Sequence, residues 1–143
     1  MMRKLLCATG VAAVALATFG AGSAQAETAP GCSSTVQIGA TAYGQYQGQN
    51  AISVKQFKGC GKNWSYVFVW QSFRDKHIQY SLSAFVNAQY DDAELVQGEV
   101  DKSGSPVELW STGTDTLTVC TQAAGMMAFG NENVVQAQTG WRC

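Results

Sequence analysis

Histidine is nearly absent from this chain of 143 residues: His77 is the only one, and no two cysteines have Cys-x-x-Cys spacing. Those gaps remove the ordinary zinc ligand sets, which need Cys and His side chains at short, regular intervals. Clusters of Lys and Arg are missing as well, and the chain carries 9 basic against 10 acidic residues. Without a basic patch there is no electrostatic footprint for nucleic acid or an anionic membrane surface. There is no Gly-x-Ser-x-Gly elbow for a hydrolase nucleophile. Neither Lys102-Ser103-Gly104 nor Gly113-Thr114-Asp115 makes a phosphate loop, and Asp115 would repel a phosphate. No cofactor is implied. The one long apolar run, Leu5 to about Phe19, is short for a membrane span and is not followed by stop-transfer charges, so stable membrane insertion is not expected.

That run belongs instead to a signal peptide. Arg3 and Lys4 precede it, and Ala24-Gln25-Ala26 supplies a small-x-small cleavage site. Cys7 lies inside the apolar region with no small-residue junction ahead of it, so it is not a lipoprotein cysteine. Cleavage after Ala26 leaves residues 27–143, a length suited to a single secreted domain, with seven basic and ten acidic residues. Four cysteines remain: Cys32, Cys60, Cys120 and Cys143. In an exported chain this even number reads as two disulfides. Three pairings are possible, and Cys32–Cys60 with Cys120–Cys143 is preferred because each pair joins sequence neighbours.

What is abundant is strand material. Fifteen glycines against two prolines, many Gln, Ser and Thr, and few long helix formers predict an all-β fold, a small disulfide-stabilised antiparallel sandwich or barrel. Val36, Ile38, Ala40 and Ala42 alternate as one half-buried strand, GQYQGQN reads as its turn, and AISVKQF is the next strand. WSYVFVWQSF sets Trp64, Tyr66, Phe68 and Trp70 on one face and Val67, Val69 and Phe73 on the other. This is the pattern of a central strand, with the aromatic row as its packed side and Cys60 fixing its start. SFRDKH is a polar turn, IQYSLSAFV and AELVQGEV are strands, and DKSGSP is a turn. VELWS, TLTVC and VVQAQTGW are short strands, with at most one helical turn in TQAAGMMAFGNEN.

VKQFKGCGKNWSYV resembles the signature of small secreted proteins of the YjfA type, a family rich in actinobacterial members. Val54, Gln56, Phe57, Cys60 and Trp64 stand at its valine, basic-aromatic, cysteine and tryptophan positions. VELWSTGTDTLTVCTQA is similar to the family's second block, which also leads into a cysteine. Phe57 replaces a tyrosine, Lys58 a serine, and Ser65-Tyr66 an Ala-Arg pair. The resemblance implies an exported, disulfide-bonded β domain and carries no catalytic residue.

For chemistry, His77 as base with Ser65, Ser72 or Ser81 and with Asp75, Asp91 or Asp115 has the residue types of a triad but no motif joining them. Asp91, Asp92 and Glu94 form an acidic loop without calcium-site spacing. Aromatic side chains in loops point to binding instead. Tyr43 and Tyr46, with Gln47, Gln49 and Asn50 beside them, are the candidate interaction site, a stacking surface flanked by amide donors and acceptors. Met126, Met127 and Phe129 are a second apolar candidate, with core packing as the competing role. The expected function is a non-enzymatic binding or adaptor domain for an extracellular protein or cell-surface partner. A carbohydrate-binding or wall-associated module is the alternative, and a small hydrolase ranks third.

Overall fold

Two-residue loops organise the first half of the domain. The computed structural model describes residues 27–143; the segment read as a signal peptide, with Cys7, lies outside the described residues. Strand β3 (Gln49–Gly59) runs into β4 (Lys62–Val69) through Cys60 and Gly61, both at positive φ (53° and 71°). That pair of left-handed residues is the signature of a type I′ turn, whose twist matches that of the flanking strands. It sets the register Phe57↔Trp64, Lys55↔Tyr66 and Val54↔Val67. Strand β2 (Ala42–Tyr46) joins β3 in the same manner through Gln47 and Gly48. The expected seven-residue turn is therefore two residues long, and both tyrosines lie on a strand.

The remaining elements are β1 (Val36–Gln37), the helical turn α1 (Gln71–Arg74), β5 (Tyr80–Tyr90), β6 (Ala93–Lys102), β7 (Glu108–Trp110), β8 (Cys120–Phe129) and β9 (Asn133–Gln138). One antiparallel sheet has the order β1-β3-β4-β7, with β2 also paired to β3; the other runs β6-β5-β8-β9. The fold is an all-β sandwich carrying two disulfides, Cys32–Cys60 and Cys120–Cys143, the preferred pairing. Such bridges are compatible with an oxidising, extracellular compartment. Among the described residues no helix is long and apolar enough to cross a membrane.

Several local expectations are corrected. The first strand is broken: β1 and β2 are separate, and Val36 is 60% exposed because β1 lies on the sheet edge with no layer over it. No helical turn interrupts residues 120–129, where full pairing with β5 outweighs the weak strand preference of Gly125. TLTVC is loop up to β8. Phe73 leaves the strand altogether: the chain turns into α1 after Trp70 and carries the ring into the end of the core.

The two faces of β4 have opposite roles from those expected. Ile52 and Val54 of β3 and Val67 and Val69 of β4 fill the space between the sheets, against Leu82, Ala84, Ala123, Met127 and Val135. Trp64, Tyr66 and Phe68 point away from the other sheet and form a second, outer cluster with Phe57, Cys32, Ala29 and Trp110. The separation between sheets explains the choice. Ala84, Ala123 and Gly125 face the valines, so a narrow layer of small and branched side chains fills the interior. A Cβ on Gly125 would overlap Val67 Cγ2 and lie 2.9 Å from Val54 Cγ2. We expect Gly125→Ala to destabilise the fold by about 1–3 kcal/mol through overpacking, although alanine loses less backbone entropy. Urea titration checks this: Val67→Ala in the same chain should restore part of the loss, giving a double variant more stable than the summed single effects.

The interior closes differently at its two ends. Phe73, Tyr46, Tyr80 and Phe129 meet edge to face at one end. At the other, Gln56 and Asn63 donate to Thr121 and Thr116 at 2.8 and 3.0 Å, and Thr114 and Thr116 share a 2.7 Å bond. Hydroxyls meet the N–H groups of these buried amides, while Gln56 Oε1 and Asn63 Oδ1 are buried without a hydrogen-bond partner.

Candidate functional site

The outward face of the first sheet is a groove of about 1160 Å³. Strand alternation builds it. On β3 the outward residues are Ser53, Lys55 and Phe57, and on β4 they are Tyr66 and Phe68. Glu108 and Trp110 of β7, Tyr43 of β2 and the ring of Trp70 extend this lining, and Glu27, Thr28, Thr35, Val36, Gln37 and Thr41 close its other side. Register arranges these residues in rows across the sheet. Tyr43 pairs with Ser53, Ser53 with Phe68 and Phe68 with Glu108; Lys55 pairs with Tyr66 and Tyr66 with Trp110. At the usual spacing between strands, the first row spans about 14 Å.

Three packed rings form the floor. Trp110 lies 4.7 Å from Tyr66 and 5.1 Å from Phe57, centroid to centroid. The rim is different in kind. Tyr43 and Trp70 are 52% and 37% exposed, with centroids 6.2 Å apart and planes inclined by 50°. Phe68 continues that platform at 6.3 Å from Trp70.

Charge enters at two points. Lys55 Nζ donates to both carboxylate oxygens of Glu27, at 2.6 and 2.8 Å, and stands 6.0 Å from the centre of the Tyr66 ring. The Tyr66 hydroxyl donates to Glu108 Oε2 at 2.6 Å. Burial pushes the Tyr66 phenol above its ordinary pKa, and the hydrogen bond to Glu108 and the negative charges of Glu108 and Glu27 push it further. The phenol therefore remains a donor at any physiological pH and fixes one oxygen of Glu108. Along β1, Gln37 Nε2 donates to the carbonyl of Gly39 and to Thr41 Oγ1, both at 3.1 Å.

Of the interaction-site candidates read from the sequence, Tyr43 alone lines this groove. Tyr46 is turned to the opposite face of β2, because three positions separate the two tyrosines and successive side chains alternate along the strand. Its ring packs edge-on against Phe73 and Phe129 at 5.7 and 5.0 Å, so it belongs to the sandwich core. Gly44 makes that packing possible, since a Cβ there would meet Val135 at 2.7 Å and Ile52 at 2.9 Å. Gln47 forms the turn and accepts from Lys76 at 3.3 Å. Gln49 pairs with Tyr46, while Asn50 accepts a bond from Gln45 at 3.5 Å. These amides lie at the hairpin tip, away from the groove lining. Met127 and Phe129 are core residues and Met126 faces outward.

The triad candidates are dispersed. Ser65 Oγ donates to the Ala124 carbonyl between the sheets at 2.9 Å, Ser72 bonds to the Asn50 carbonyl, and Asp115 pairs with Lys62 at 2.6 Å. His77 is exposed beyond α1. Asp91, Asp92 and Glu94 sit on the exposed β5–β6 hairpin. Among the described residues no group of three His, Cys, Asp or Glu side chains is placed to hold a metal ion. What the groove can do is stack and hydrogen-bond an extended ligand. Its sequence signal was the alternation Glu108-x-Trp110 in VELWS, in phase with the aromatic row of β4. Comparison with protein-family models, with curated proteins and with solved structures returned no match.

Proposed function

We propose that this chain is a secreted, non-enzymatic binding domain whose groove takes a saccharide chain of an extracellular polymer or cell surface. The observation that carries the reading is the exposed platform of Tyr43 and Trp70, set beside a groove edged with hydroxyl, amide and carboxylate groups. A pyranose ring offers C–H groups on its faces and hydroxyls around its edge. Binding one calls for an aromatic surface with directional polar groups beside it. The groove runs across several strands, which suits a chain more than a single small molecule.

Tyr43→Ala should weaken saccharide binding by about tenfold or more, equivalent to about 1.4 kcal/mol. Its melting temperature should stay within a few degrees of wild type, since the ring is half in solvent. Affinity electrophoresis on wall polysaccharides, followed by calorimetry with the retained glycan, provides the measurement. Failure of the wild type to bind any neutral or charged glycan would reject the proposal, and shortening of the glycan would move the protein to the hydrolase reading.

A protein partner is the second reading. It is favoured by β6, an edge strand on which Leu95 and Val96 are 47% and 52% exposed. Such an edge can accept an added strand from another chain.

A further inference from the structure

We infer that the saccharide taken by this groove carries a cationic amino group, and that Glu108 receives it. The inference rests on the saccharide reading above and names the ligand class more narrowly. Three charged side chains line the groove: Glu27, Lys55 and Glu108. Lys55 is neutralised by both oxygens of Glu27. Glu108 has no cationic partner within ion-pair distance among the described residues; its one hydrogen bond comes from the neutral Tyr66 phenol, and only to Oε2. The other nearby cation, Arg74, lies 5.9 Å from the Phe68 ring and forms no ion pair with Glu108. Among the charged side chains of the lining, Glu108 is therefore the one without an ion-pair partner.

The surroundings of that charge match an ammonium group. Phe68 lies beside Glu108 in the register, and Trp110, two positions along β7, is paired with Tyr66. A carboxylate flanked by aromatic faces attracts an alkylammonium twice, through charge and through the ring quadrupoles. A neutral hydroxyl gains only the hydrogen bond. A carboxylate-bearing sugar would meet the negative charge of Glu108 and be disfavoured there. Because Tyr66 holds Oε2, the free Oε1 is left to accept from the ligand without reorganisation. The occupant with this chemistry is a chain of amino sugars with free amines.

Calorimetry with an oligomer of β-1,4-linked glucosamine and with its fully N-acetylated counterpart, at pH 6 and low salt, tests the inference. The wild type should bind the free-amine oligomer about tenfold more tightly, the combined scale of an exposed ion pair and a cation–π contact. Glu108→Gln keeps an acceptor for the Tyr66 hydroxyl. It should abolish that preference, bringing the two oligomers to equal affinity, with the melting temperature nearly unchanged. High salt should also erode the preference. Equal or tighter binding of the acetylated oligomer by wild type, or a preference surviving Glu108→Gln, overturns the inference and leaves the saccharide reading standing. If neither oligomer nor any other glycan binds, the saccharide reading itself falls.

Discussion

Phe73→Ala should lower the stability of the domain by about 3–5 kcal/mol, the usual cost of emptying a fully buried aromatic position. Domains of this size have only about 5–15 kcal/mol in total, so the melting temperature should fall by more than about 10 °C. Phe73 is 1% exposed, the largest of the fully buried side chains. Its ring meets Tyr46 and Tyr80 at 5.7 Å and Phe129 at 5.0 Å, each edge to face. Those partners come from β2, β5 and β8, elements of both sheets, so one ring ties the layers together at this end. Alanine leaves a space the surrounding rings cannot close without breaking their own contacts. Tyr46→Ala should cost less, about 2 kcal/mol, because that ring is only half-buried. Thermal and urea unfolding measure both. A shift of only a few degrees for Phe73→Ala would mean that this end of the sandwich holds without its plug.

Phe73 also shows where the sequence stopped being informative. The alternation in WSYVFVWQSF was readable, and β4 has that alternation. Its end was not readable. No side chain caps the helical turn at Trp70, so nothing local announced that the chain leaves the sheet before Phe73. The hairpin at Gln47 was misjudged for a related reason. A left-handed glutamine at φ 52° gives none of the Asn-Gly or Asp-Gly signal that marks two-residue turns, and the glycines nearby invited a longer loop. The disulfides were legible because each bridge joins cysteines that are neighbours in sequence.

Which face of β4 was inward lay beyond any single segment. Aromatic rings bury the most apolar area, so the row Trp64, Tyr66, Phe68 was the natural choice for the interior. The decision depended on the facing sheet, where Ala84, Ala123 and Gly125 leave room for valines and not for rings. The displaced aromatic row became the floor of a groove, and the binding site moved from a hairpin tip to the sheet face. A strand apolar on both sides, in a two-layer fold, leaves one apolar side without a covering sheet. That surplus is the general signal, and here it is covered only in part, by β7 and the segment ahead of β1.

Cys32→Ala with Cys60→Ala should cost about 3–4 kcal/mol in stability and, separately, much of the groove's affinity. The stability loss follows from loop closure across a sequence separation of 28. Cys120→Ala with Cys143→Ala opens a loop of similar size, with a separation of 23, and should destabilise the fold by nearly the same amount. The two bridges differ in what they hold. Cys120–Cys143 fastens the chain end beside β8, where Arg142 pairs with Thr121. Cys32–Cys60 fastens residues 27–35 across the groove's own sheet. Ala29 and Cys32 pack on Phe57, Trp64 and Tyr66, and Thr35 Oγ1 donates to the Glu27 carbonyl at 2.6 Å. Freed from the bridge, that strap loses its covalent tie to the sheet, and its quarter-exposed ion pair is worth at most about 1 kcal/mol. Glu27 would then leave Lys55, unpairing a cation in the groove and removing one wall. Melting curves of the two double variants should therefore nearly coincide, while glycan titrations at a temperature where both are folded should show a several-fold loss for the Cys32/Cys60 variant alone. Equal affinity in the two variants would mean that the strap is no part of the binding surface.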